Sequence, residues 1–153
     1  MIKKLSKEQA LPQIKQYCVY RERCHTEVKE KLYSYGLYKN DVEQLMAQLI
    51  EENYLNEERF AIQYAGGKFR MNQWGRVKIK YALRQKQVNE YSIKKALMQI
   101  SESDYKKTLN KLAAQKLKAL KSETNIFRKK KKLEDYLLQK GYEGELIKEA
   151  FNR

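Results

Sequence analysis

"VKEKLYSYGLYKNDVEQLM" (28–46) returns twice along the chain, as "IKYALRQKQVNEYSIKKAL" (79–97) and "LEDYLLQKGYEGELIKEAF" (133–151). The offsets are 51 and 54 residues, with no insertion inside the aligned blocks. Apolar residues coincide at four places: Val28, Ile79 and Leu133; Leu32, Leu83 and Leu137; Leu37, Val88 and Tyr142; Val42, Ile93 and Ile147. Steps of three and four residues within each copy are those of one buried helix face, and the alternation of a strand is absent. Gly36 and Gly141 fall at the same point, where glycine can take the left-handed conformation that ends a helix. Gln87 holds that point in the middle copy, so its turn is expected to be built differently.

Each copy therefore reads as helix, short turn, helix. A pair of this kind cannot bury its apolar face alone and needs a further helix or a neighbouring copy. The spacers supply one. "NYLNEERFAIQYAGGKF" (53–69) offers Asn56 as an N-cap followed by acidic residues, and "SESDYKKTLNKLAAQKLKAL" (101–120) is again amphipathic. "SKEQALPQIKQYCVY" (6–20) adds a leading helix, with Ser6 and Gln9 spaced as a capping box. The expected fold is all-α, with tandem three-helix repeats forming an elongated, curved body. Its parts are drawn as an N-terminal helix (1–20), repeat 1 (21–67), a basic repeat 2 (68–121) and a truncated repeat 3 (122–153).

Charge is strongly segregated among the 153 residues, whose net charge is +14. Residues 1–67 carry 10 basic and 10 acidic side chains, residues 68–132 carry 20 and 4, and residues 133–153 carry 3 and 5. An ordinary soluble surface mixes both signs. A basic block of this kind is expected to face a polyanion, either nucleic acid or an acidic protein surface.

Within "KFRMNQWGRVKIKYALRQK" (68–86) stand seven Lys and Arg, no acid and the chain's one tryptophan. Read as a helix from residue 76, it turns Val77, Ile79, Ala82 and Leu83 inward. Arg76, Lys80 and Arg84 then share an outer strip, flanked by Lys78 and Lys86. Like charges four residues apart repel one another, so the strip gains nothing within its own helix and suits a polyanionic partner. A merely solvated face is the other reading. Trp74 reads as a packing residue in preference to a base-stacking platform. Lys68 and Arg70 precede it. "FRKKKK" (127–132) adds a second cluster, Arg128, Lys129, Lys130, Lys131 and Lys132, at a helix start where its charge has the unfavourable sign.

Catalysis is not expected. There is one histidine, "HTEV" (25–28) is not a metalloprotease motif, and no phosphate loop or nucleophile elbow appears. Gly66 and Gly67 lack the strand-to-helix setting of a phosphate loop. Cys18 and Cys24, with His25, cannot complete a zinc site and are expected to be reduced, buried thiols. No metal or cofactor is anticipated. No apolar run approaches a membrane span, and the start lacks the apolar stretch of a secretory leader, so a cytoplasmic location is expected.

Three ordered segments resemble the RecX family of bacterial recombination regulators. "YRERCHTEVKEKL" (20–32) matches through Arg21, Arg23, Glu27 and Val28. "EENYLNEERFAIQYA" (51–65) matches through Tyr54, Leu55, Asn56, Glu57, Arg59, Phe60 and Ala61. "QWGRVKIKYALRQKQV" (73–88) matches through Gly75, Arg76, Ile79 and Leu83. The resemblance implies a crescent of three-helix repeats that binds in the groove of RecA–DNA filaments and suppresses recombinase and ATPase activity. It implies a RecA filament and single- or double-stranded DNA as partners, the latter through phosphate contacts. A monomer suffices for such a design. Arg21, Arg23 and Arg59 follow family motifs and are weaker candidates for contact, since each could equally pair with the acids of the first repeat. The competing reading is a DNA- or RNA-binding helical module with no recombinase partner.

Overall fold

The computed structural model describes residues 4–151. Among these residues every regular element is helical: α1 (Lys7–Tyr20), α2 (His25–Ser34), α3 (Lys39–Glu51), α4 (Glu57–Asn72), α5 (Arg76–Gln85), α6 (Glu90–Met98), α7 (Glu102–Ala119), α8 (Ile126–Gln139) and α9 (Gly144–Phe151). None of the helices is long and apolar enough to cross a membrane.

The twelve aligned apolar positions of the three copies are all buried, and none exposes more than 7% of its surface. The expected helix starts are also formed. Ser6 and Gln9 close a reciprocal capping box, with Gln9 N–H donating to Ser6 Oγ at 3.1 Å and Ser6 N–H to Gln9 Oε1 at 2.9 Å. Asn56 Oδ1 accepts from Arg59 N–H at 2.8 Å, and Glu57 and Glu58 occupy the first turn of α4. Asn89, Ser101 and Asn125 cap the starts of α6, α7 and α8 in the same way. Each such cap satisfies a backbone donor that a helix start leaves free.

The middle turn differs from its sequence expectation. Gln87 adopts φ 61, the left-handed conformation that Gly36 (φ 85) and Gly141 (φ 100) take in the other copies. Its hydrogen bonds copy those of the third turn. Gln87 N–H donates to Arg84 O and Val88 N–H to Leu83 O, just as Gly141 N–H donates to Leu138 O and Tyr142 N–H to Leu137 O. Burial of Leu83 and Val88 fixes the turn, and the glutamine bears the strain that glycine would avoid.

The contacts divide into two compact units. One takes in the described residues up to Gln63 together with Leu83–Lys95, and the other Tyr64–Ala82 with the described residues from Ala96 on. In the first, α1, α2 and α3 pack around Ile14, Val28, Leu32, Val42, Leu45 and Leu49. Cys18 and Cys24 are buried free thiols there, as read from the sequence. In the second, Tyr105 is fully buried between Phe69 and Tyr142, with ring centroids 5.8 and 5.1 Å away.

Candidate nucleic-acid interface

The start of α5 is locked against the turn between α8 and α9. Gly75 N–H donates to Lys140 O at 2.8 Å, and Val77 N–H to Gly141 O at 2.9 Å. A Cβ on Gly75 would sit 2.3 Å from the Gly141 carbonyl carbon, so this approach of two backbones requires glycine. The preceding turn is equally fixed. Gln73 is left-handed (φ 59), its carbonyl accepts from Tyr142 Oη at 2.9 Å, and Lys140 Nζ donates to Asn72 O.

This anchoring corrects the expected strip on α5. Arg76 does not lie on its outside. It stands three residues before Ile79 and seven before Leu83, which is the same helical face. Its backbone N–H donates to Tyr105 Oη at 2.8 Å, and its guanidinium lies 3.9 Å from the Tyr105 ring centroid. It also pairs with Glu102 (2.6 Å) and Glu143 (3.0 Å). Burial alone would lower the Arg76 pKa, but Glu102, Tyr105 and Glu143 more than reverse this. Tyr105 in turn donates to Glu143, and burial with that carboxylate drives its own pKa well up. Val77, expected inside, is 53% exposed, because two residues before Ile79 points away from the core.

The remaining cations fall into distinct settings. Arg84 is exposed but makes a two-pronged contact with Glu90 at 2.7 and 3.1 Å, which raises its pKa. Lys86 lends its carbonyl to the Thr26 hydroxyl, and its charge acts on Glu27. Arg70 is exposed, with its guanidinium laid against Gly66 on α4, where a Cβ would come within 2.7 Å of it. Lys68, Lys78 and Lys80 have no carboxylate partner among the described residues. Two of these converge on Trp74: Lys68 Nζ lies 5.0 Å and Lys78 Nζ 4.7 Å from its ring centroid. Trp74 itself is only partly buried and stands apart from the ring stack of the core.

The second cluster opens α8, whose first turn holds no acid. Lys132 pairs with Glu123 at 2.8 Å, a contact that holds the Glu123 carboxyl below its ordinary range, and Lys131 with Asp135 at 3.1 Å. Lys130 approaches the Phe151 ring, while Arg128 is exposed and Lys129 partly so.

The three weaker candidates act within the first unit. Arg21 pairs with Glu27 at 2.9 Å. Arg23 is 8% exposed, stacked 3.7 Å from the Tyr17 ring centroid and donating to Tyr17 O. Arg59 binds Glu22 and reaches Asn53 O at 3.1 Å. The grouping of Trp74 with its two lysines has only a weak local signal, the four-residue step from Trp74 to Lys78. The Arg76–Tyr105–Glu143 group had no local signal, since its members come from three distant segments. No grouping of three or more His, Cys, Asp or Glu fit to hold a metal occurs among the described residues.

Two family models match the chain, those of the second three-helix domain of RecX over residues 56–97 and the third over 102–151. These spans group α4 with α5 and α6, and α7 with α8 and α9. A "Regulatory protein RecX" of Clostridium perfringens is 36% identical over 118 residues, which are 76% of this chain. The match spans 55% of that relative, a little over half its length. One of Chlorobium limicola is 30% identical over 133 residues, covering 87% of this chain and 81% of the relative. The crystal structure of RecX from Lactobacillus salivarius superimposes with a TM-score of 0.86 at 22% identity, over 95% of this chain and 94% of that one. A second crystal structure, of "regulatory protein RecX", gives 0.87 at 20% identity over 96% and 72%. These two show the shared all-α repeat fold, and the sequence matches go further. The chain belongs to the RecX family of regulatory proteins.

Proposed function

We propose that this protein is a non-enzymatic regulator of the RecA recombinase that binds in the groove of RecA–DNA filaments and lowers their ATPase and strand-exchange activity. It acts in the cytoplasm as a monomer, without cofactor. The basic repeat, drawn at 68–121, and the third, at 122–153, supply the contacts to DNA phosphates and acidic protein surface. The observation that carries this reading is the set of cations at Lys68, Lys78 and Lys80, which no carboxylate among the described residues neutralises. A polyanion offsets their mutual repulsion where the chain itself does not. Arg128, Lys129 and Lys130 extend the same chemistry beside the ion-paired Lys131 and Lys132, while Arg76, Arg21, Arg23 and Arg59 serve it by holding their own units together.

The test is RecA-dependent ATP turnover and strand exchange on single-stranded DNA with this protein titrated in. Both are expected to fall. Unchanged rates at concentrations that saturate any DNA binding would overturn the reading. They would leave the protein as a direct nucleic-acid-binding module, a reading the same unpaired lysines favour.

A further inference from the structure

Trp74 is partly buried, so part of its ring meets solvent. Phe69, Tyr105 and Tyr142 already fill the adjoining core. The indole N–H finds no acceptor among the described residues.

The backbone at Trp74 is held in a defined position. The left-handed Gln73 precedes it, its own N–H donates to Lys68 O at 3.2 Å, and Gly75 follows in a contact that tolerates no side chain. A strained, tightly anchored turn that presents a partly exposed aromatic ring is the pattern of a functional position. Lys68 and Lys78 place two ammonium groups at that ring. An aromatic face beside unpaired cations is the chemistry that receives one nucleotide of a single strand, with the base on the ring and the phosphates on the ammonium groups. The lysines do not block the face. An exposed cation–π contact is weaker than base–aromatic stacking, so a base displaces the ammonium groups toward its own phosphates.

We propose that Trp74, flanked by Lys68 and Lys78, is a stacking site for an unpaired base of single-stranded nucleic acid. The inference rests on the nucleic-acid side of the function proposed above and adds a preference for single strands. Bases of a duplex are already stacked and do not present a free face.

Trp74 is the chain's one tryptophan, so its fluorescence reports on the site without a label. An oligothymidylate strand is expected to quench it, and a duplex or an abasic strand of equal length to leave it nearly unchanged. Anisotropy of labelled strands should show Trp74→Ala weakening oligothymidylate binding by about tenfold and Trp74→Phe by much less. Affinity for the abasic strand should be the same in all three proteins. Binding of oligothymidylate without quenching, equal quenching by the abasic strand, or equal affinity of wild type and Trp74→Ala would each overturn the proposal. If the wild type slows RecA yet shows no quenching, the stacking site falls and the regulator reading stands. If quenching is selective for the strand with bases but RecA is unaffected, the site stands and the regulator reading falls.

Discussion

At the residue scale, Gln87 does a glycine's work. A non-glycine side chain in the left-handed region is strained, and glycine loses part of the gain through its freer unfolded chain. Gln87→Gly is therefore expected to stabilise the protein by about 0.5–1 kcal/mol, read as a raised urea midpoint. Tyr105 is the opposite case, because its hydroxyl serves two partners at once. Tyr105→Phe leaves the Arg76 N–H and the Glu143 carboxylate without it, and should cost about 1–3 kcal/mol in the same assay. Glu27 gives a pH signature. Burial works to raise its pKa, but the Cys24 N–H and S–H, with the charges of Arg21 and Lys86, hold it below the ordinary 4.5. A carboxyl with a lowered folded-state pKa stabilises fully above its unfolded value and loses that contribution as pH falls through the folded one. The stability advantage of wild type over Glu27→Gln should hold at pH 7 and shrink as pH drops below about 4.5. An advantage that does not change with pH would contradict the assignment.

At the element scale, the helices and their inward faces were legible because burial repeats with the sequence. Each copy carries its four core positions at the same spacing, and Ser6 and Asn56 mark the starts of α1 and α4. The first turn of α5 was not legible. Its surroundings come from residues 102–105 and 140–143, so the helix pattern alone could place neither Arg76 inside nor Val77 outside. Gln87 escaped for a related reason: residue preference argued against a left-handed turn that tertiary burial imposes. The same long-range packing yields a prediction for α5. Gly75→Ala drives a methyl into the Gly141 carbonyl and is expected to destabilise the second unit by about 3 kcal/mol or more, with unfolding followed by circular dichroism. A neutral Gly75→Ala would mean that α5 does not start against this turn.

At the scale of the whole molecule, the excess charge lies where side chains are least neutralised within the chain. Glu22 and Glu27 find partners in Arg21, Arg23 and Arg59, whereas Lys68, Lys78 and Lys80 have no carboxylate partner among the described residues. Segregation of charge was visible in the sequence. Which cations are spent internally was not, because that depends on rotamers and on carboxylates far along the chain. Lys78→Glu combined with Lys80→Glu touches no ion pair of the described residues, so it should leave the fold intact and flatten the salt dependence of DNA binding by roughly two phosphate contacts. The most direct test of the account is ATP turnover by RecA on single-stranded DNA, titrated with wild type and with this double variant. Wild type is expected to suppress turnover, and the variant to need at least about tenfold more protein for the same effect. Turnover untouched by wild type, or suppressed equally by both proteins, would contradict it.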